Sequence, residues 1–259
     1  MSVPESALYA LRSVVGGAGA ACRGAAAALL LALAVGLPAR SAEPATENVR
    51  LSDGSTLTVF FAVPEEAPPG KRLPLCIALP GGPGEEGMAK GVMAGMGSGF
   101  LARGWAVAAP VSPNGAPFFG GNAKLVPLLI AALQTRATVA SGKVLLAGVS
   151  NGGIAAIEIA ANMPARVFAV VSVPGVVSPR TKLQKLWRVP IYLRIGENDE
   201  LHWGEAYPLV VGELNRVGAA VNARLVPNVG HGVTVDWADL DKWLAQLSAV
   251  RTPKRPGAR

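Results

Sequence analysis

A chain of 259 residues, 51% hydrophobic and 16% charged, holds ample apolar material for one α/β domain and is not a disordered polymer. Its formal net charge of +7 gathers at the ends, in Arg12, Arg23 and Arg40 and in Arg251, Lys254, Arg255 and Arg259. The body between is close to neutral and lacks a basic stripe interleaved with aromatics, so no nucleic-acid partner is expected.

The first segment reads as separable. After Arg12 and Arg23 comes GAAAALLLALAVGLP, residues 24–38, which has the form of a signal-peptide apolar region. It is shorter than the ~20 residues of an easy membrane span. Small residues at Ala39 and Ser41 suit cleavage, so residues 1–42 are expected to be a secretory signal and the mature protein to be exported, periplasmic or secreted. An uncleaved anchor is the alternative. Cys22 would leave with the signal. Cys76 lies inside LPLCIAL and reads as a buried hydrophobe rather than a reactive thiol. No Cys/His spacing suits a metal, and neither metal nor cofactor is expected.

Residues 43–250 are expected to form one domain, with 251–259 as a basic disordered tail. Residues 43–47 read as a linker. NVRLS, the turn pair Asp53-Gly54 and STLTVFFAV predict an antiparallel hairpin. LPLCIAL, residues 73–79, predicts a strand covered on both faces. PGGPGEEG is a loop, and 88–102 predicts a helix weakened by Gly91, Gly95 and Gly97. WAVAAP is a strand, and a helix is expected over 122–139, with Pro127 in its first turns. KVLLAGV, VFAVVSV, PIYLRI and NARLVP continue as strands. They alternate with helices at GGIAAIEIAANM, at GEAYPLVVGELNRVG and from about Thr234 to Ala249. Such alternation predicts a mainly parallel sheet with helices on both faces. No insertion is long enough for a large lid.

The chemistry centres on AGVSNGG. Ser150 follows an apolar strand and precedes a helix rich in small residues, the context of a nucleophile on a sharp turn. A dinucleotide-binding turn would need G-x-G-x-x-G, which is absent here. A serine needs a base at neutral pH. Of the two histidines, His231 lies in a Gly-His-Gly loop after the last strand and is the expected base; His202 reads as a rim or helix-capping residue. The acid should end a strand between serine and histidine. In GENDE, Glu197, Asp199 and Glu200 compete, and Asp199 is preferred with Glu197 as fallback. The amide N–H groups of Asn151 and Gly82 are expected to form an oxyanion hole, with Gly81 second; Pro83 has no N–H to give. Phe118 and Phe119 are candidate pocket residues, with Trp203 and Met93 weaker ones.

GVSNG, GEND, GHG and PGGPG together resemble the α/β-hydrolase superfamily over roughly residues 48–249. The compact form looks like phospholipase/carboxylesterase and dienelactone-hydrolase-like members, and SNGG like the polyhydroxybutyrate-depolymerase and feruloyl-esterase-like group. Many of these carry histidine where this chain has Pro80. Dienelactone hydrolases proper use a cysteine nucleophile where this chain has Ser150. The resemblance implies an α/β-hydrolase fold and a serine esterase acting on a small-molecule or polymeric carboxylic ester. An exported serine peptidase with the same triad is one alternative; a catalytically silent binding protein is another.

Overall fold

The structure, a computed structural model, describes residues 44–251. The expected signal segment and the tail beyond Arg251 lie outside the described residues. The chain opens with an antiparallel hairpin of β1 (Ala45–Arg50) and β2 (Thr56–Ala62). Its turn is closed by the Asp53 carboxylate, which accepts hydrogen bonds from the Ser55 N–H and Oγ. The expected linker is therefore strand from Ala45 onward. Ala45 pairs with Phe61, and the Glu47 carboxylate is gripped by Arg136.

Six further strands follow: β3 (Leu75–Leu79), β4 (Ala106–Pro110), β5 (Val144–Gly148), β6 (Val167–Ser172), β7 (Pro190–Gly196) and β8 (Ala220–Val226). The sheet order is β1-β2-β4-β3-β5-β6-β7-β8, and β3 to β8 run parallel. Side chains alternate across it. Leu75, Ile77 and Leu79 enter one core, whereas Cys76 and Ala78 enter the other. Both faces must be covered because both are apolar. Helices α1 (Glu86–Val92), α2 (Ser98–Leu101) and α6 (Trp237–Arg251) contribute to one core; α3 (Leu125–Leu133), α4 (Asn151–Asn162) and α5 (Trp203–Arg216) contribute to the other. Cys76 is fully buried, and burial pushes its thiol pKa up.

Three helices differ from the sequence reading. The helix expected over 88–102 is broken by a π-helical turn, Met93–Gly97. Gly99 after it admits a close neighbour: a Cβ there would lie 1.9 Å from a Trp237 ring carbon. The helix expected over 122–139 is a 3-10 turn, Gly120–Lys124, followed by α3, which ends at Leu133. The last helix starts at Trp237 rather than near Thr234, and residues 227–236 before it form an irregular loop. That loop carries His231. Among the described residues, no helix is long and apolar enough to cross a membrane.

Candidate active site

In an open parallel sheet, strand C-termini and the loops after them form the natural crevice. Here β3, β5, β7 and β8 end together, and each contributes one part of the site. At the end of β5 the chain turns sharply at Ser150, with φ 57° and ψ −121°. A non-glycine residue rarely adopts this conformation, at a cost of about 1–3 kcal/mol. The surroundings enforce it: Ser150 N–H donates to Pro174 O at 2.9 Å, and Gly153 and Ile154 N–H donate back to Ser150 O. The turn also needs bare backbone. A Cβ on Gly152 would lie 2.1 Å from Leu79 O, and one on Gly148 would lie 2.1 Å from Gly152 O.

The acid and histidine loops are joined to each other before either reaches the serine. Glu197 N–H donates to Val226 O, and Asn198 N–H to Val229 O, each at 2.9 Å. Asp199 has a fully buried side chain. Its Oδ1 accepts from Leu201 N–H at 2.8 Å, which leaves Oδ2 free to meet His231 Nδ1, also at 2.8 Å. His231 Nε2 is 2.8 Å from Ser150 Oγ. The Trp203 ring stands nearly perpendicular to the imidazole with centroids 4.9 Å apart, which restricts its tilt.

The neighbouring acids have other partners. Glu197 Oε2 accepts from Asn228 N–H at 3.0 Å, so the fallback acid braces the histidine loop and does not meet the ring. Glu200 Oε2 accepts from the His231 backbone N–H at 2.8 Å, and this bond holds its carboxyl below the ordinary range. The sequence places Glu200 among the competing acids but gives no sign of this bracing contact. His202 lies just before α5, where its exposed ring meets Glu205.

Asn151 opens α4, so its N–H has no acceptor within the helix. Its side-chain Nδ2 donates to Gly82 O at 2.9 Å, tying the turn after β5 to the loop after β3. Gly82 has φ +55°, and a Cβ on Gly81 would sit 3.4 Å from Ser150 Cβ. Among the described residues, the N–H groups of Gly82 and Asn151 donate no hydrogen bond to the protein.

A cleft of about 730 Å³ opens beside Ser150 and His231, a size ordinary for small-molecule sites. Its apolar walls come from Met88, Val92 and Met96 on one side and Val233, Val235 and Trp237 on the other. Val149, Val173 and five glycines complete it, with Thr234 the remaining polar side chain. Phe118 and Phe119 do not line it, which corrects the sequence reading. Phe118 is fully buried and faces Gly84, and Phe119 packs on the core shared by α3 and α4. Both lie on the correct loop but point inward, because the polar cluster of Ser112, Asn114 and Asn122 folds that loop onto itself. Met93 is likewise core.

The start of α6 is pinned from below. Asp239 accepts from the buried Arg194 and from Tyr192 Oη, and Arg194 holds the Asp239 carboxyl below its usual range. Burial first, and then the hydrogen bond to Asp239, push the Tyr192 phenol up to about 12. This fixes the helix that follows the histidine loop. Among the described residues, no group of three or more His, Cys, Asp or Glu is placed to hold a metal ion.

The chain is similar to known proteins in sequence family and in fold. The family model described as the dienelactone hydrolase family matches residues 122–250. No curated protein sequence matches the chain. Among solved structures, a thermostable esterase superposes with a TM-score of 0.62 at 17% identity, over 79% of this chain and 62% of the esterase. This chain thus spans less than two thirds of that protein. A dienelactone hydrolase-like promiscuous phosphotriesterase from metagenomic libraries gives 0.58 at 17% identity, covering 80% and 98% respectively. Dipeptidyl peptidase 4 of Porphyromonas gingivalis gives 0.61 at 11% identity, over 81% of this chain and 36% of the peptidase. At such identities these likenesses establish the fold.

Proposed function

We propose that this chain, which belongs to the α/β-hydrolase superfamily and carries a dienelactone hydrolase family domain, is a serine esterase that cleaves carboxylic esters through an acyl-enzyme. The observation that carries the reading is the unbroken hydrogen-bonded line from Asp199 through His231 to Ser150, with 2.8 Å at each step. His231 Nε2 takes the proton from Ser150 Oγ as that oxygen attacks the ester carbonyl. Asp199 keeps the Nδ1–H tautomer facing it and stabilises the imidazolium that forms. The oxyanion sits against the N–H groups of Gly82 and Asn151, the latter at the positive end of α4. Imidazolium then protonates the leaving alcohol. Water, deprotonated by the same histidine, attacks the acyl-serine and releases the acid.

The Glu197 and Glu200 bonds to the histidine loop support this division of labour, because they leave Asp199 alone at the ring. The cleft favours esters of apolar groups, since His231 is its one ionisable lining residue. The same triad can cleave amides, so aminoacyl amides belong in the assay beside nitrophenyl esters. Turnover of nitrophenyl esters by the wild type, its loss in Ser150→Ala, and slower cleavage of amides are the expected results. Faster amide cleavage would make the protein a peptidase, and the absence of ester turnover and of fluorophosphonate labelling at Ser150 would sink both hydrolase readings. Export follows if residues 1–42 are a cleaved signal, which N-terminal sequencing of the mature protein tests.

A further inference from the structure

Gly87, Gly91 and Gly95 recur every fourth residue along the segment that forms α1 and the π turn, and all three line the cleft beside Ser150. None has a positive φ, and a Cβ on any of them would meet nothing within 4 Å. Neither backbone conformation nor crowding therefore requires glycine here. That sets them apart from Gly148 and Gly152, where a Cβ would strike backbone at 2.1 Å. Glycine inside a helix costs stability relative to alanine, so these three positions weaken the element that bears them. What they leave open is one side of the cleft.

The lining follows the chain from the oxyanion loop at Gly82 along the helical segment to Met96. Its near end is Gly82, where a Cβ would lie 3.7 Å from Met88 Cγ; its far end is Met96 with Trp237. A rise of ~1.5 Å per residue sets Gly87 and Met96 roughly 13 Å apart along the axis. The far wall is fixed: the Trp237 ring packs perpendicular to Phe100 at 5.2 Å, with the Arg103 guanidinium 4.2 Å from its centroid. The near wall is adaptable, because Met88 is 50% exposed on a flexible thioether chain.

We propose that this cleft is a ruler for an extended apolar chain of the ester, in which Gly91 and Gly95 set the length accepted. The inference rests on the esterase reading and adds to it a substrate class and two specificity-determining positions. A side chain at 91 or 95 fills the slot without touching the triad. Gly95 lies one helical turn farther along the segment from the oxyanion loop than Gly91, so a block there should leave room for a longer chain.

The test uses nitrophenyl acetate, butyrate, octanoate and palmitate for the acyl side, and ethyl, butyl and octyl acetate for the alcohol side. Wild type, Gly91→Phe, Gly91→Leu and Gly95→Leu are compared by kcat/KM, and circular dichroism and Tm report whether each is folded. In one of the two series, Gly91→Phe should lower the ratio of the eight-carbon member to the shortest by at least about tenfold, the scale of discrimination by a filled apolar pocket. Gly95→Leu should lower it less than Gly91→Leu and spare the four-carbon member. The series that responds identifies which side of the ester occupies the cleft. Ratios within about twofold of wild type in both series, in folded Gly91→Phe, would overturn the ruler while leaving the esterase intact. Absence of ester turnover in the wild type would overturn the esterase reading and this inference with it.

Discussion

Asp199 and His231 lie 32 residues apart in the chain, yet Asp199 Oδ2 meets His231 Nδ1 at 2.8 Å with the carboxylate fully buried. The contact fixes which imidazole nitrogen carries the proton. Asp199→Asn keeps the shape but can offer an amide N–H to Nδ1 and so favour the wrong tautomer. We expect kcat to fall about 10³–10⁴-fold with little change in KM. Glu197→Gln should stay within about tenfold of wild type, because Glu197 meets Asn228 N–H and not the ring. Steady-state kinetics on a nitrophenyl ester checks both; the reverse ranking would move the acid role to Glu197.

Ser150 stores strain. Its φ of 57° is held by hydrogen bonds that any residue's backbone at this position could make. Ser150→Ala removes the hydroxyl and keeps the strain, whereas Ser150→Gly removes both. The glycine variant should be more stable than the alanine variant by about 1 kcal/mol, after allowing for the greater unfolded-state entropy of glycine. Urea denaturation of the two variants measures this directly. Equal midpoints would mean that the turn is unstrained.

Gly152 and Gly91 predict opposite responses to the same change. Gly152→Ala drives a Cβ to 2.1 Å from Leu79 O, a backbone atom that cannot swing aside, and should destabilise by about 3 kcal/mol or more. Gly91→Ala meets open space in a helical conformation and should stabilise by about 0.4–1 kcal/mol. Thermal unfolding of the pair checks the sign of each.

Glu200 links the site to acid stability. Its carboxyl is held below the ordinary range by the His231 backbone N–H. A folded-state value below the unfolded one gives a contribution that is complete above the unfolded value. It is lost as pH falls through the folded one. Glu200→Gln removes this titration, so Tm should decline less steeply with acid than in wild type. At neutral pH the variant should lower kcat more than it raises KM, because a neutral amide oxygen is a weaker acceptor than the carboxylate that braces the histidine loop. A Tm profile parallel to wild type through the acid range would show that the bond contributes nothing.

Much of the site was legible in the chain. Ser150 stood out because the strand before it and the glycines after it are local features, and the turn depends on bare backbone at Gly148 and Gly152. His231 and Asp199 were accessible because strand ends can be located from apolar runs, and sheet order puts those ends together. Phe118 and Phe119 misled for a related reason. The loop after β4 does border the crevice, but the direction of a side chain on it is set by the Ser112, Asn114 and Asn122 hydrogen bonds, which no periodicity encodes.

The sequence by itself determined the alternation of strands and helices, the strained turn at Ser150 and the order of serine, acid and histidine. Each follows from patterns a few residues long: apolar runs, glycines where a Cβ cannot fit, and ionisable residues where strands stop. Only the tertiary structure decided which acid meets the imidazole, and that Glu197 and Glu200 hold the histidine loop instead. It alone also assembled the cleft, whose walls join residues 88–96 to residues 233–237. Contacts between segments so distant in sequence depend on how helices pack over strands, and that packing is a property of the folded whole.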